Sequence, residues 1–225
     1  MRFGIIDHND DTGRPHVRQV AERLELIEAY DRLGFYACHL TEHHGTPLVV
    51  TPSPHLMLAA AAQRTSRLRL GTLITILPLY HPMRVIEEAV TLDQLSGGRL
   101  DLGVGRGVSP AELAFHGVPG KEEAQGRFDE ALAILRQGLT SDSVTFDGKY
   151  YKLADAPVIS RPVQRPHPPL WYGTRTLAKA QWCGRLGMPM MALVPSLETC
   201  FGDMTIAEAL QSAELLATEV MPHFA

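Results

Sequence analysis

Short apolar runs alternate along this chain with longer stretches in which apolar residues recur at helical spacing. The first run, Arg2 to Ile6, predicts a strand, and a helix follows from about Val17 to Leu33 with Val17, Val20, Leu24, Ile27 and Tyr30 on one face. Gly34 closes that helix. A second strand spans about Phe35 to Leu40, and an Ala-rich helix runs from about His55 to Thr65. The third strand, Leu68 to Leu77, is apolar almost throughout, as a strand covered on both faces must be. Pro82 opens a helix to about Leu95, and a fourth strand spans Arg99 to Val104. Beyond a helix near Glu122 to Leu139, Val144 to Tyr151 predicts a hairpin turning on Asp147-Gly148. A fifth parallel strand is Leu170 to Gly173, a helix runs from about Thr176 to Leu186, and a sixth strand covers Met188 to Val194. The last helix starts at Thr205, where Thr-Ile-Ala-Glu208 forms a capping box, and ends before Pro222.

Alternating strands and helices imply a parallel sheet with right-handed crossovers, either doubly wound or a (β/α)8 barrel. No Gly-x-Gly-x-x-Gly follows the first strand, so the dinucleotide fingerprint is missing. Polar and glycine-rich residues follow several strands, which favours the barrel. Composition adds limits. With 225 residues, 45% hydrophobic, the chain suits one sizeable domain, 1–225. A net charge of -4 without a basic stripe argues against nucleic acid, and no apolar run is long enough for a membrane span. Cys38, Cys183 and Cys200 form no Cys-x-x-Cys pair and predict reduced thiols in a cytoplasmic protein, as does an N-terminus that enters a strand without a leader.

Candidate chemistry gathers after three strands. Arg99-Leu-Asp-Leu-Gly-Val-Gly-Arg-Gly107 leaves its strand through glycines beside Arg106, a combination suited to phosphate. The alternative reading of Arg106 is a partner for a nearby carboxylate such as Glu112. Glu42-His43-His44 follows the second strand, and Leu77-Pro-Leu-Tyr-His81-Pro82 the third. A histidine titrates near neutral pH, so the residue type at His43 suits acid–base work; Glu42 would orient an imidazole or meet an arginine. His44 reads as structural, and His81 as part of a turn. Leu73 and Ile74 read as core residues from pattern alone. Arg175, Thr176 and Lys179 begin a helix whose N-terminus suits either an anion or ordinary capping by Thr174 or Thr176. Trp171 and Tyr172 would line a pocket or plug the barrel.

Thr41-Glu-His-His44, Leu70-Gly-Thr72, Leu77-Pro-Leu-Tyr-His-Pro82, Leu92 to Gly107, Arg165-Pro-His-Pro-Pro-Leu-Trp171 and Glu219-Val-Met-Pro222 together resemble the luciferase-like flavin-dependent monooxygenases, in that family's order. The resemblance implies a (β/α)8 barrel that binds reduced FMN, or the deazaflavin F420, at the C-terminal ends of its strands. It implies that Arg106 holds the flavin phosphate with main-chain groups at Gly107 and Val108, completed by Arg175, Thr176 and Lys179. It places the backbone of Leu73 and Ile74 against the flavin ring and makes His43 the acid/base. Only Pro195 to Gly202 lies where the family carries its seventh strand and mobile lid. The expected barrel is therefore incomplete, shortened near 195–202.

Three functions follow. The first is a monooxygenase that takes reduced FMN from a separate reductase and acts with O2 on a small apolar organic substrate, with a homodimer joined through helices near the second and third strands. The second is a flavin-binding or regulatory relative that has lost turnover with the lid. The third is a barrel hydrolase with a metal at Glu42, His43, His44 and His81; adjacent histidines on one strand end diverge, which weakens it.

Overall fold

The computed structural model describes residues 2–174, 176–192 and 205–224. Six parallel strands form one sheet in the order β1 (Gly4–Asp7), β2 (Ala37–Leu40), β3 (Arg69–Ile76), β4 (Leu100–Gly105), β7 (Leu170–Thr174) and β8 (Met190–Ala192). A separate antiparallel pair, β5 (Ser143–Asp147) and β6 (Lys152–Pro157), lies outside it. The helices are α1 (His16–Arg32), α2 (Pro54–Ala62), α3 (Pro82–Leu95), α4 (Pro110–Phe115), α5 (Gly120–Gly138), α6 (Leu177–Leu186) and α7 (Ile206–Leu215).

Strand alternation divides the sheet into two faces. One face sends Cys38, Leu40, Leu70, Leu100, Leu102, Val104 and Leu170 into a core shared with Ile27, Leu58, Ile86 and Leu135 of the helices. The other face carries His39, Gly71, Asp101, Gly103, Trp171 and Gly173. Chain direction then puts every strand's C-terminal end on one side of the sheet, which forms the mouth. The N-terminal ends form the floor.

The β3–β4 register runs Thr72↔Leu102 and then Thr75↔Val104, so β3 carries a bulge at Leu73 and Ile74. The Leu73–Ile74 peptide is cis. Glycines on the neighbouring strands make room for the bulge. A Cβ at Gly103 would lie 2.0 Å from the Thr72 carbonyl oxygen, and one at Gly105 would lie 2.1 Å from Ile74 Cδ1.

Several expectations need correction. Val17 is exposed, whereas Gln19 and Arg23 of α1 are buried, because Arg23 pairs with Asp7 at the end of β1 (3.0 Å). The hairpin extends beyond Tyr151, to Pro157. Its loop is held from outside, since the Glu130 carboxylate of α5 accepts from the main-chain N–H groups of Lys149, Tyr150 and Tyr151 at 2.8, 2.9 and 3.0 Å. The sixth sheet strand starts at Met190, two residues after the predicted Met188, and the predicted end at Val194 lies outside the described residues. The last helix has its capping box at Thr205 and Glu208, yet its final turns run on through Pro222 to Phe224 as wider and then tighter helix. The expected loss of the seventh strand and lid falls on 193–204, outside the described residues, as does Cys200. No helix among the described residues is long and apolar enough to cross a membrane.

Candidate active site at the sheet mouth

Glu42 anchors the mouth. Its carboxylate is buried and accepts from the Ile76 main-chain N–H (2.9 Å) and the Tyr80 hydroxyl (2.8 Å), which ties the end of β2 to the end of β3. Burial, and then the charge of Glu42, pushes the Tyr80 hydroxyl well up from its ordinary value. A third contact, 2.8 Å, joins Glu42 to His44 Nε2 and raises the His44 pKa. The His44 ring meets His116 edge-on at 4.6 Å. Glu42 therefore orients His44, and His44 is structural.

His43 has a different partner. Its Nδ1 lies 3.1 Å from Glu112 Oε1, and its ring stacks on His8 at 6.1 Å. With Nδ1–H donating to the carboxylate, Nε2 is left to accept or deliver a proton. His8 is itself held by Thr41, whose Oγ1 lies 3.1 Å from His8 Nδ1.

Glu112 is thus not the partner of Arg106. Arg106 is half-buried and has neither ion pair nor hydrogen bond among the described residues. Burial pushes the Tyr172 hydroxyl up from its ordinary value, and the Arg106 charge opposes that shift. Lys179 approaches the same ring, with Nζ 5.7 Å from the Tyr172 centroid and 4.7 Å from that of Trp182. Two cations from different elements therefore act on one phenol, Arg106 through its charge and Lys179 over the ring. Thr176 is the N-cap of α6: its side chain accepts from Lys179 N–H at 3.4 Å, so the capping reading holds. Gly107 has φ of 77°, a conformation that favours glycine, and Val108 is 81% exposed. Arg175 lies outside the described residues.

This donor set fits a phosphate. Among the described residues Arg106 has no carboxylate and Lys179 meets only aromatic faces, and Lys179 lies in the first turn of α6. Leu73 and Ile74 project from the bulge over Gly103, Gly105 and Gly173, with Ile74 Cγ2 3.7 Å from the Cβ position at Gly173. That bulge offers an isoalloxazine ring main chain and aliphatic surface.

Other expected residues take structural places. His81 is exposed beside Tyr151 (5.8 Å, edge-on), and its carbonyl, not its side chain, starts α3 by accepting from Arg84 N–H at 2.9 Å. Trp171 faces inward against His39 (6.0 Å), while Tyr172 faces outward with Phe128 and Trp182. Among the described residues no three histidine, cysteine or carboxylate side chains converge as metal ligands, so the proposed metal set is not assembled.

Residues 1–199 match the luciferase-like monooxygenase family. The chain belongs to that family. It is 43% identical over 219 residues to an uncharacterised protein of Sinorhizobium fredii, covering 97% of this chain and 63% of that one. The oxygenase component of the flavin-dependent trigonelline monooxygenase of Acinetobacter baylyi is 30% identical over 179 residues, covering 78% of this chain and 49% of its own. A monooxygenase crystal structure from Streptomyces bottropensis superposes with a TM-score of 0.81 at 31% identity, covering 96% of this chain and 67% of that one. This family member spans about half to two thirds of the length of these relatives.

Within the family framework, sequence reasoning missed α4 and the role of Glu112. The signal was present in Ser109-Pro-Ala-Glu112, a serine N-cap with glutamate three residues on. Ser109 does cap Glu112 N–H, at 3.4 Å, but the glutamate side chain turns to His43 instead of back to the cap. His8 and Thr41 carried no comparable signal.

Proposed function

We propose that this chain is the flavin-binding and oxygenating part of a monooxygenase that uses reduced FMN and O2 on a small apolar organic substrate. The reading rests on one observation above all: Arg106, just past the end of β4, and Lys179, in the first turn of α6, both act on Tyr172, and neither has an acidic partner among the described residues. When bound, reduced flavin supplies the electrons that activate O2. Arg106, Gly107, Val108, Thr176 and Lys179 would hold its phosphate, with Arg175 continuing that segment. Leu73 and Ile74 would support the ring through contact, keeping water from that side. His43, with Nδ1 committed to Glu112, moves a proton at Nε2.

The substrate would be apolar because the inward face of the sheet carries Ile6, Ile74 and Trp171. A separate reductase would supply the reduced flavin; the resemblance to an oxygenase component supports this. F420 shares the phosphate and the tricyclic ring and is the alternative cofactor.

The deciding experiment titrates FMN and reduced FMN against wild type and Arg106→Ala, and follows O2 uptake with reduced flavin. Tight binding lost in Arg106→Ala, together with product formation, supports the reading. Peroxide release without product points to a flavin binder that does not oxygenate. Equal affinity in both proteins removes Arg106 from the site.

A further inference from the structure

Behind the β3 bulge lies a polar chain that the flavin reading does not use. His55, in the first turn of α2, is 6% exposed. Its Nδ1 meets Glu88 Oε2 of α3 at 2.5 Å, and its Nε2 lies 3.0 Å from Thr75 Oγ1. The Thr75 hydroxyl donates to Thr72 Oγ1 at 3.1 Å, and the Thr72 hydroxyl donates to the Gly103 carbonyl oxygen at 2.7 Å. Thr72 and Thr75 are fully buried and flank Leu73 and Ile74 on either side. Their mutual bond closes the base of the bulge, and the bond to Gly103 ties that base to β4.

Proton counting fixes the direction of the chain. Each hydroxyl has one proton, already given to Thr72 Oγ1 and to Gly103. Thr75 Oγ1 must therefore accept from His55 Nε2–H. The remaining proton lies between His55 Nδ1 and Glu88, whose second oxygen accepts from Arg84 Nε at 2.7 Å. The far end opens on a cavity of about 210 Å³ between α2 and α3, lined by His55, Arg84 and Glu88 among others. Stability alone does not call for such a chain, because apolar side chains of the same shape are close to neutral replacements for a paired hydrogen bond. A fixed donor aimed at Thr75 does what an apolar side chain cannot, which is to hold the bulge in one arrangement.

We infer that His55, acting through Thr75 and Thr72, is a positioning residue that sets the Leu73–Ile74 bulge against the flavin ring. This rests on the flavin reading above. The test compares quenching of FMN fluorescence with that of riboflavin, which has the ring but no phosphate. Thr75→Val should weaken both ligands by a similar factor, about fivefold. Thr75→Ser, which keeps the hydroxyl, should restore both to within about twofold. Glu88→Ala, at the solvent end, leaves the buried threonines in place and should weaken both ligands by about threefold. Arg106→Ala should weaken FMN alone.

Wild-type affinities in Thr75→Val or in Glu88→Ala overturn the inference and leave the flavin reading intact. So does a Thr75→Ser protein as weak as Thr75→Val, since the effect would then be one of packing. A wild-type chain that quenches neither ligand overturns the flavin reading, and the inference with it.

Discussion

The two ends of β4 are opposites, although one stretch of chain, Asp93 to Gly107, builds both. At the floor every charge has a partner. Arg69 Nη2 lies 2.7 Å from Asp101 Oδ1 and donates to Gln164 Oε1 at 3.1 Å. Gln164 in turn donates to Asp93 through its side chain (2.7 Å) and its main-chain N–H (2.9 Å). His39 Nε2 completes the group, 3.6 Å from Asp101. At the mouth, Arg106 and Lys179 have no carboxylate partner among the described residues. Cations of the same type thus do different work according to what surrounds them. A buried network of paired charges holds strands together, whereas cations without acids among the described residues are open to an anionic ligand.

The largest effect should come from the floor. Asp101→Ala leaves the Arg69 guanidinium half-buried without its carboxylate and should cost about 3 kcal/mol or more in denaturant unfolding. A loss under about 1 kcal/mol would mean the network is not what separates floor from mouth. Gly103→Ala comes next, at about 2–3 kcal/mol, because its Cβ would meet the Thr72 carbonyl, which is main chain and cannot yield. Gly105→Ala should cost clearly less, since it meets only the tip of the Ile74 side chain.

Arg106→Ala sharpens the comparison from the other side. FMN affinity should fall by about 1.5–3 kcal/mol, with the unfolding midpoint unchanged. The same pair separates by pH. His39 and Arg69 hold the Asp101 carboxyl below its ordinary value, against the opposing effect of burial. Its contribution to stability is complete above the ordinary carboxylate value of 3.8 and is lost as the pH falls through the lowered folded value. Acid titration of Asp101→Asn should lack that loss, and Arg106→Ala should titrate as wild type. The smallest effect belongs to Thr176→Ala, at about 0.5 kcal/mol of stability, with less loss of FMN than Arg106→Ala. A larger loss than Arg106→Ala would move the centre of the phosphate site from β4 to α6.

Much of this was legible in the chain order. The apolar run of β3, Pro82 at the start of α3 and the Thr205 capping box are local signals. Each depends on backbone constraints or on periodicity that a few neighbouring residues settle. Arg106, Gly107 and His43 were also readable, because they leave strands whose ends must share one side of a parallel sheet. What was not readable is which side chain meets which. Glu112 is close in sequence to Arg106 and distant from His43, yet it pairs with His43, and nothing local signals that choice. His55 looked like the start of an Ala-rich helix, and only the packing of α2 and α3 behind β3 brings it to Thr75.

Local propensity and hydrophobic pattern therefore determined the elements, their parallel order and which residues leave the strands at the mouth. The tertiary structure decided the pairings, such as Glu42 with His44, Glu112 with His43 and Asp101 with Arg69. The physical reason is range. Backbone preference acts over a few residues, whereas hydrogen bonds and ion pairs are short contacts that exist only after strands and helices from distant parts of the chain have been brought together.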